Sequence, residues 1–255
     1  QQPIDNKHSG RLEFANWLIS KSHPLVSRVM VNRIWRWRFG RGIVASVDNF
    51  GSLGSRPTHP RLLDWLALEF SRQQGSLKAL HRIMLSSSTY QMSSQYNANN
   101  DRQDPENKLL WRMRRRRLSG EELRDSVLQI GPGMDHVMGG TLLKVKNRAY
   151  VTGSGTNITN EYDNLRRSVY LPVIRSAVFD VLQTMDFPDP AVSNGNRITT
   201  TVAPQALLMM NSSLVQKGTR DLAKQVVNLP ADQRVESVYR LVLGRQPSGD
   251  DADLA

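Results

Sequence analysis

"SHPLVSRVMVNRIWRWRFGRG", residues 22–42, decides the fold class, because it carries helix signals at both ends and an apolar pattern between them. Ser22 or His23 stands where a cap belongs, Pro24 falls in the first turn, and Gly40 supplies the stop. Val26, Val29, Met30, Ile34 and Trp37 make one face, with Arg33 inside it, while Leu25, Val31 and Trp35 lie opposite. Apolar residues on both sides predict a helix covered over most of its circumference. In the "WRWR" segment, Trp35 and Trp37 are expected in different parts of the core, with Arg36 and Arg38 reaching the surface.

Outward from this helix the same texture recurs. "SGRLEFANWLIS" (9–20) predicts a short helix. "THPRLLDWLALEFSRQQG" (58–75) predicts an amphipathic one with Thr58 as cap and Pro60 in its first turn. Ser76 caps the next, "SLKALHRIMLSSSTY". Residues 93–104 are polar and Asn-rich, hence a loop, and "DPENKLLWRM" restarts a helix from Asp104. Residues 40–60 form a glycine-punctuated loop. Beyond Gly131, "LLKVKNRAYV" and "RRSVYLPVI" have the β-branched character of short strands, and residues 201–227 and 231–245 return to helix. The expected architecture is mainly α: one multi-helix domain over 1–255, with a helical part at 10–131 and a loop and β insertion at 132–198. Its irregular β-containing portion is expected at about residues 140–176, and C-terminal helices at 202–245.

Charge raises a different question. Residues 1–150 hold 24 Lys and Arg against 12 Asp and Glu, whereas residues 151–255 hold 10 against 11. "WRMRRRRLSGEELRDSV" (111–127) concentrates this excess in Arg112 and Arg114 to Arg117. The run ends in an S-x-x-E capping box, Ser119 and Glu122, with Leu118 and Leu123 placed as a staple. Such bracketing favours a packed helix entrance over a phosphate-gripping arm, so nucleic acid ranks last among the partners. Arg33, Arg116 and Arg117 are expected to pair with Asp64, Asp125 and neighbouring glutamates in a partly buried network. Arg36, Arg38, Trp35 and Arg167 are the candidates for contact with an anion or glycan.

Catalytic chemistry has thin support. The chain contains no cysteine, which excludes disulfides, thiolate metal sites and covalent haem attachment within it. No H-E-x-x-H, G-x-S-x-G or P-loop pattern occurs. His59, His81, Asp186 and Asp189 are the acid/base candidates. The acidic loops at 160–164 and 185–196 could offer oxygen ligands to Ca²⁺, but turn-forming Asp and Asn account for both, and no metal or cofactor is expected. No apolar run is long enough for a membrane helix, and no signal peptide is expected at the start of what reads as a fragment.

Seven ordered strings carry a resemblance: residues 23–70, "SLKALHRIMLSSSTYQMSS", "RRLSGEELRDSVL", "RRSVYLPVIR", "MDFPDP", "TTTVAPQALLMMN" and "YRLVLGRQP". Together they resemble the planctomycete cell-surface domain family known as domain of unknown function 1553. That resemblance implies an extracytoplasmic piece of a multi-domain protein, C-terminal to another domain of unknown function and often linked to a cytochrome-c-like module. It brings no established reaction and no catalytic residues. The expectation is therefore a non-catalytic scaffold or binding module, its partners being neighbouring domains of the same polypeptide or a polysaccharide. The alternatives are a hydrolase acting on complex or sulfated polysaccharide, and a docking partner for the cytochrome-c-like module.

Overall fold

The computed structural model describes residues 9–20, 23–131, 133–143, 162–175 and 177–253. It is mainly α, and the chain falls into two units, Gln1–Arg116 and Arg117–Ala255.

In the first unit α1 is Arg11–Leu18, α2 Val26–Phe39, α3 Pro60–Arg72, α4 Leu77–Leu85 and α5 Ala98–Gln103. The residues around 22–42 do form a helix, but it starts later than their caps suggest. His23 Nδ1 accepts hydrogen bonds from the backbone N–H groups of Leu25 and Val26, each 3.3 Å, so Pro24 lies ahead of the helix. Gly40 ends it at φ 80°, a conformation that suits glycine. The buried stripe is Val31, Ile34, Trp35 and Phe39, and Trp37 is 56% exposed while Arg36 and Arg38 are half-buried. Trp37 therefore leaves the core face assigned to it. The stripe that meets α3 and α4 runs through Val31 and Trp35 instead.

Leu63 and Leu66 of α3, with Leu80 and Met84 of α4, close this core, and Trp35 stacks on Phe39 at 3.9 Å between ring centroids. The glycine-punctuated segment after α2 is a loop, yet it contributes Ile43 and Val44 to the same core. Asn32 explains how. It has no exposed surface, its Nδ2 donates to Val44 O at 3.0 Å, and its Oδ1 accepts from Val44 N at 2.9 Å. A Cβ at Gly42 would lie 2.5 Å from Val44 O and 2.8 Å from Asn32 Nδ2, so only glycine lets the loop turn here.

Two local expectations reverse between residues 93 and 114. The Asn-rich segment forms α5, capped by Asn97, whose Oδ1 accepts from Asn99 and Asn100 N. The segment from Asp104 does not form a helix. Asp104 accepts from Lys108 N (2.9 Å) and Leu109 N (2.6 Å), and Asn107 and Leu110 both take positive φ. Left-handed residues three apart close turns where a helix would have continued.

The second unit is built on α6, Gly120–Ile130, which opens with the expected capping box: Glu122 N donates to Ser119 Oγ and Ser119 N donates to Glu122 Oε2. A 3₁₀ turn, Ser168–Tyr170, precedes α7 (Asp180–Thr184), α8 (Ala203–Asn211), α9 (Ser213–Val226), α10 (Ala231–Leu243) and α11 (Gly249–Asp253). The helix expected at 201–227 is broken into α8 and α9 at Ser212, whose ψ of 129° is extended. Where α6 ends, a Cβ on Gly131 would lie 2.5 Å from the Cα of Gly218 in α9, and one on Gly218 would lie 2.6 Å from Val127 Cγ1.

Of the expected strands, Lys144–Val151 lies outside the described residues. "RRSVYLPVI" forms the 3₁₀ turn, and β pairing among the described residues is limited to the isolated bridges Asp135–Arg166 and Ile174–Ala177. Acceptors at the start of this segment are engaged instead by Arg124, which is 1% exposed. It donates to Asn164 O (2.6 Å), Arg166 O (2.8 Å) and Ser168 Oγ (3.3 Å), and the next residue's Asp125 Oδ1 accepts from Ser168 N at 2.8 Å.

Asn32→Leu should destabilise the first unit by about 3 kcal/mol, because the buried N–H and C=O of Val44 lose their partners; urea unfolding measures it, and a change below about 1 kcal/mol would refute this account of the loop. Arg124→Met strands three acceptors and should cost the second unit about 3 kcal/mol by the same measurement; a neutral result would show that they find other donors.

Candidate functional site

The turns that replace the expected helix at 104–113 border a concave feature of the first unit. Asp104 also accepts Trp111 Nε1 through its backbone carbonyl at 2.9 Å, and Asn107 Nδ2 donates to Arg112 O at 2.8 Å, so the chain enters the arginine run in a fixed posture. A cavity of about 310 Å³ opens there, walled by Arg41, Pro105, Glu106, Asn107, Arg112, Arg114 and Arg115. A narrow recess of about 10 Å³, room for about one water, shares Arg41, Asn107 and Arg114 with it and reaches Trp35, Thr58 and His59.

The electrostatics of the cleft follow from its pairings. Glu106 bridges two cations, Lys108 Nζ donating to Oε1 and Arg41 Nη1 to Oε2, each at 2.8 Å. Those two donors bring its carboxyl down to about 2. Arg114 donates to the backbone carbonyls of Glu106 and Asn107, and its Nε is buried with no hydrogen-bond partner among the described residues. Desolvation first, and then the charge of Arg41, lower the Arg114 pKa. The guanidinium carbon of Arg112 lies 4.5 Å from the Trp111 ring centroid and 5.6 Å from that of Tyr96. Arg115 completes the wall from an exposed position. Four arginines thus face one carboxylate, an arrangement suited to holding an anion.

The family model of PSD1, a protein of unknown function (DUF1553), matches residues 10–255. The chain belongs to the PSD1 family. No curated protein and no solved structure matches it.

In this PSD1 chain the residues singled out from sequence are dispersed. His59 borders the recess, with Nδ1 2.9 Å from Thr58 Oγ1. His81 Nδ1 accepts from Arg38 Nε at 3.2 Å, and burial followed by the Arg38 charge lowers its pKa. In the second unit Asp186 accepts from Thr200 N and Oγ1, both 2.7 Å, and from Gln205 Nε2 at 3.2 Å; these donors, the Thr200 N–H foremost, depress its pKa. Asp189 accepts from Ala191 N at 2.8 Å in a local turn.

Of the residues expected to form one ion-pair network, most have other neighbours. Arg33 lies 3.7 Å from Asp48, Asp64 accepts from Arg28 at 2.7 Å, and Asp125 serves Ser168 and Arg124. Arg117 donates to Thr200 O and Thr201 Oγ1, and Arg116 is exposed. Among the anion or glycan candidates, Trp35 is a core residue on the recess, Arg36 and Arg38 are half-buried in α2, and Arg167 is exposed beside the 3₁₀ turn. No group of three or more His, Asp or Glu suited to a metal ion occurs among the described residues, and no helix among them is long and apolar enough to cross a membrane.

In the sequence Arg112, Arg114 and Arg115 read as part of a charge run, and Arg41 and Glu106 lie outside it, so the wall they form together is not visible there. The turn that borders it does leave a signal in "DPEN": Asp before Pro, and Asn three residues on, favour a turn. A depressed carboxyl contributes stability above its unfolded range, near 4.3, and that contribution is lost as pH falls toward about 2. An NMR titration should therefore place the Glu106 carboxyl near 2, and Arg41→Gln should move it upward; an ordinary value in the native chain would contradict the bridge.

Proposed function

We propose that the chain is a non-catalytic binding module that carries an anionic polymer in the arginine-lined cleft of its first unit. The cleft carries this reading: Arg41, Arg112, Arg114 and Arg115 against the single carboxylate of Glu106, around a cavity of about 310 Å³. Pockets of this order, about 300 Å³ and upward, are the size that small-molecule groups occupy. The acid/base candidates support the same reading from the other side. Asp186 is held by three donors that depress its pKa, Asp189 closes a turn, and His81 is lowered first by burial and then by the charge of Arg38, which donates to it. A carboxylate whose acceptor sites are filled and whose pKa is depressed is a poor general acid. The hydrolase alternative therefore has less to recommend it than binding.

The setting is part of the proposal. Family membership, together with the resemblance in the sequence strings, favours a place outside the cytoplasm, within a longer planctomycete surface protein. Its neighbours there would include other domains of the same polypeptide, a cytochrome-c-like module among them. Polysaccharide is preferred over nucleic acid as the ligand because it is the anionic polymer available in that setting.

The test is affinity electrophoresis of the chain in gels containing chondroitin sulfate or neutral dextran, alongside an assay for released reducing ends. Retardation by the sulfated polymer alone, weakening as NaCl is raised, with no reducing ends released, is the expected result. Equal mobility in both gels, or chain cleavage, would overturn the reading.

A further inference from the structure

Resting on that binding reading, the geometry points to the group that the cleft recognises: we infer that Arg112, Arg114 and Arg115 receive the tetrahedral oxyanion of a sulfate or phosphate ester. Three features converge on this chemistry. Glu106 already occupies Arg41 and Lys108 at 2.8 Å each, so its single charge is committed to the side of the cleft that those residues form. The arginines at 112, 114 and 115 meet the cavity without a carboxylate of their own among its wall residues. A carboxylate presents its two oxygens in one plane; a sulfate or phosphate ester presents three outward oxygens in different directions, the better match to donors arriving from three separate side chains.

The donors are also held in place before any ligand arrives. Arg114 is fixed by the carbonyls of Glu106 and Asn107. Arg112 lies over Trp111 and Tyr96, which support the face of the guanidinium and leave its N–H edge to bond. Desolvation and then the charge of Arg41, joined by Arg112, disfavour the Arg114 guanidinium, while Asp104 and Glu106 act in the opposite sense; a bound anion adds to that favourable side. The cavity is several times the size of a bare ion, given about 30 Å³ per water, so there is room for part of the molecule that bears the ester.

The experiment titrates the chain with sodium sulfate, sodium phosphate and sodium acetate at constant ionic strength, following arginine Nε–H resonances by NMR. Saturable shifts of Arg112, Arg114 and Arg115 with sulfate and phosphate, and none with acetate, are expected. Repeating the titrations at pH 5.5 and 7.5 separates the two esters' chemistry, because phosphate gains charge across that interval and sulfate does not. Arg115→Ala, an exposed position that folding should tolerate, should weaken sulfate and phosphate binding about tenfold. Glu106→Gln, which removes the competing carboxylate, should strengthen it. Linear shifts, acetate binding equal to sulfate, or indifference to both substitutions would overturn the assignment. If chondroitin sulfate retards the chain while Arg115→Ala and inorganic sulfate leave that retardation unchanged, the cleft assignment falls and the binding-module reading stands. If the polymer does not retard the chain, the binding-module reading itself falls, and saturable sulfate binding at the arginines would then mark a small-ligand site.

Discussion

The two hydrogen bonds between the Asn32 side chain and the peptide of Val44 join the longest helix of the first unit to the loop that follows it. Neither group touches solvent, so neither has water as a substitute, and the fold must supply both partners or lose the contact outright. With the loop pinned, Ile43 and Val44 enter the core beside Trp35 and Leu66, and Arg41 is carried to the edge of the cleft. A buried amide thus places a surface cation. The path runs from one polar side chain through loop geometry to electrostatics.

The second unit uses a charged residue for a comparable task. Arg124 is buried among carbonyl oxygens and a hydroxyl, and its link to the carboxylate of Asp125 is a long one at 3.7 Å. Guanidinium geometry allows one side chain to serve several acceptors, which suits a segment that has few backbone partners of its own. Nearby, the bidentate Arg197–Glu121 pair at 2.7 Å and the Arg117 contacts to Thr200 and Thr201 fix the approach to α8. Arginine in this chain divides among gathering carbonyls, pairing with carboxylates and facing open space, and composition alone does not tell these apart.

Helices announced themselves where apolar spacing and caps agreed. Ser119 with Glu122, Ser76, and Gly40 behaved as their chemistry requires. Asn32 and Gln205 are polar residues within apolar strings, and both are buried. What the sequence did not reveal depended on partners distant along the chain. Trp37 could not be assigned to solvent without knowing where α3 and α4 pack. Residues 166–174, strand-like in sequence, receive Arg124, about forty residues earlier, at the carbonyl of Arg166. The cleft needed Arg41 and Glu106 brought together across 65 positions, a proximity with no local trace.

The close approach of Gly131 to Gly218 has a consequence for how the second unit tolerates change. Contacts built from side chains yield by degrees, since a rotamer can shift or a methyl can be lost without moving the backbone. At Gly131 backbone meets backbone, and a methyl group there would overlap the Cα of Gly218; one on Gly218 would meet the Val127 side chain. The helices would have to separate as bodies, carrying with them the end of the helix that holds Arg124 and Asp125. The seam has little graded response: variation can accumulate on the outer faces of α6 and α9, while Gly131 admits none and Gly218 admits it only if Val127 gives way.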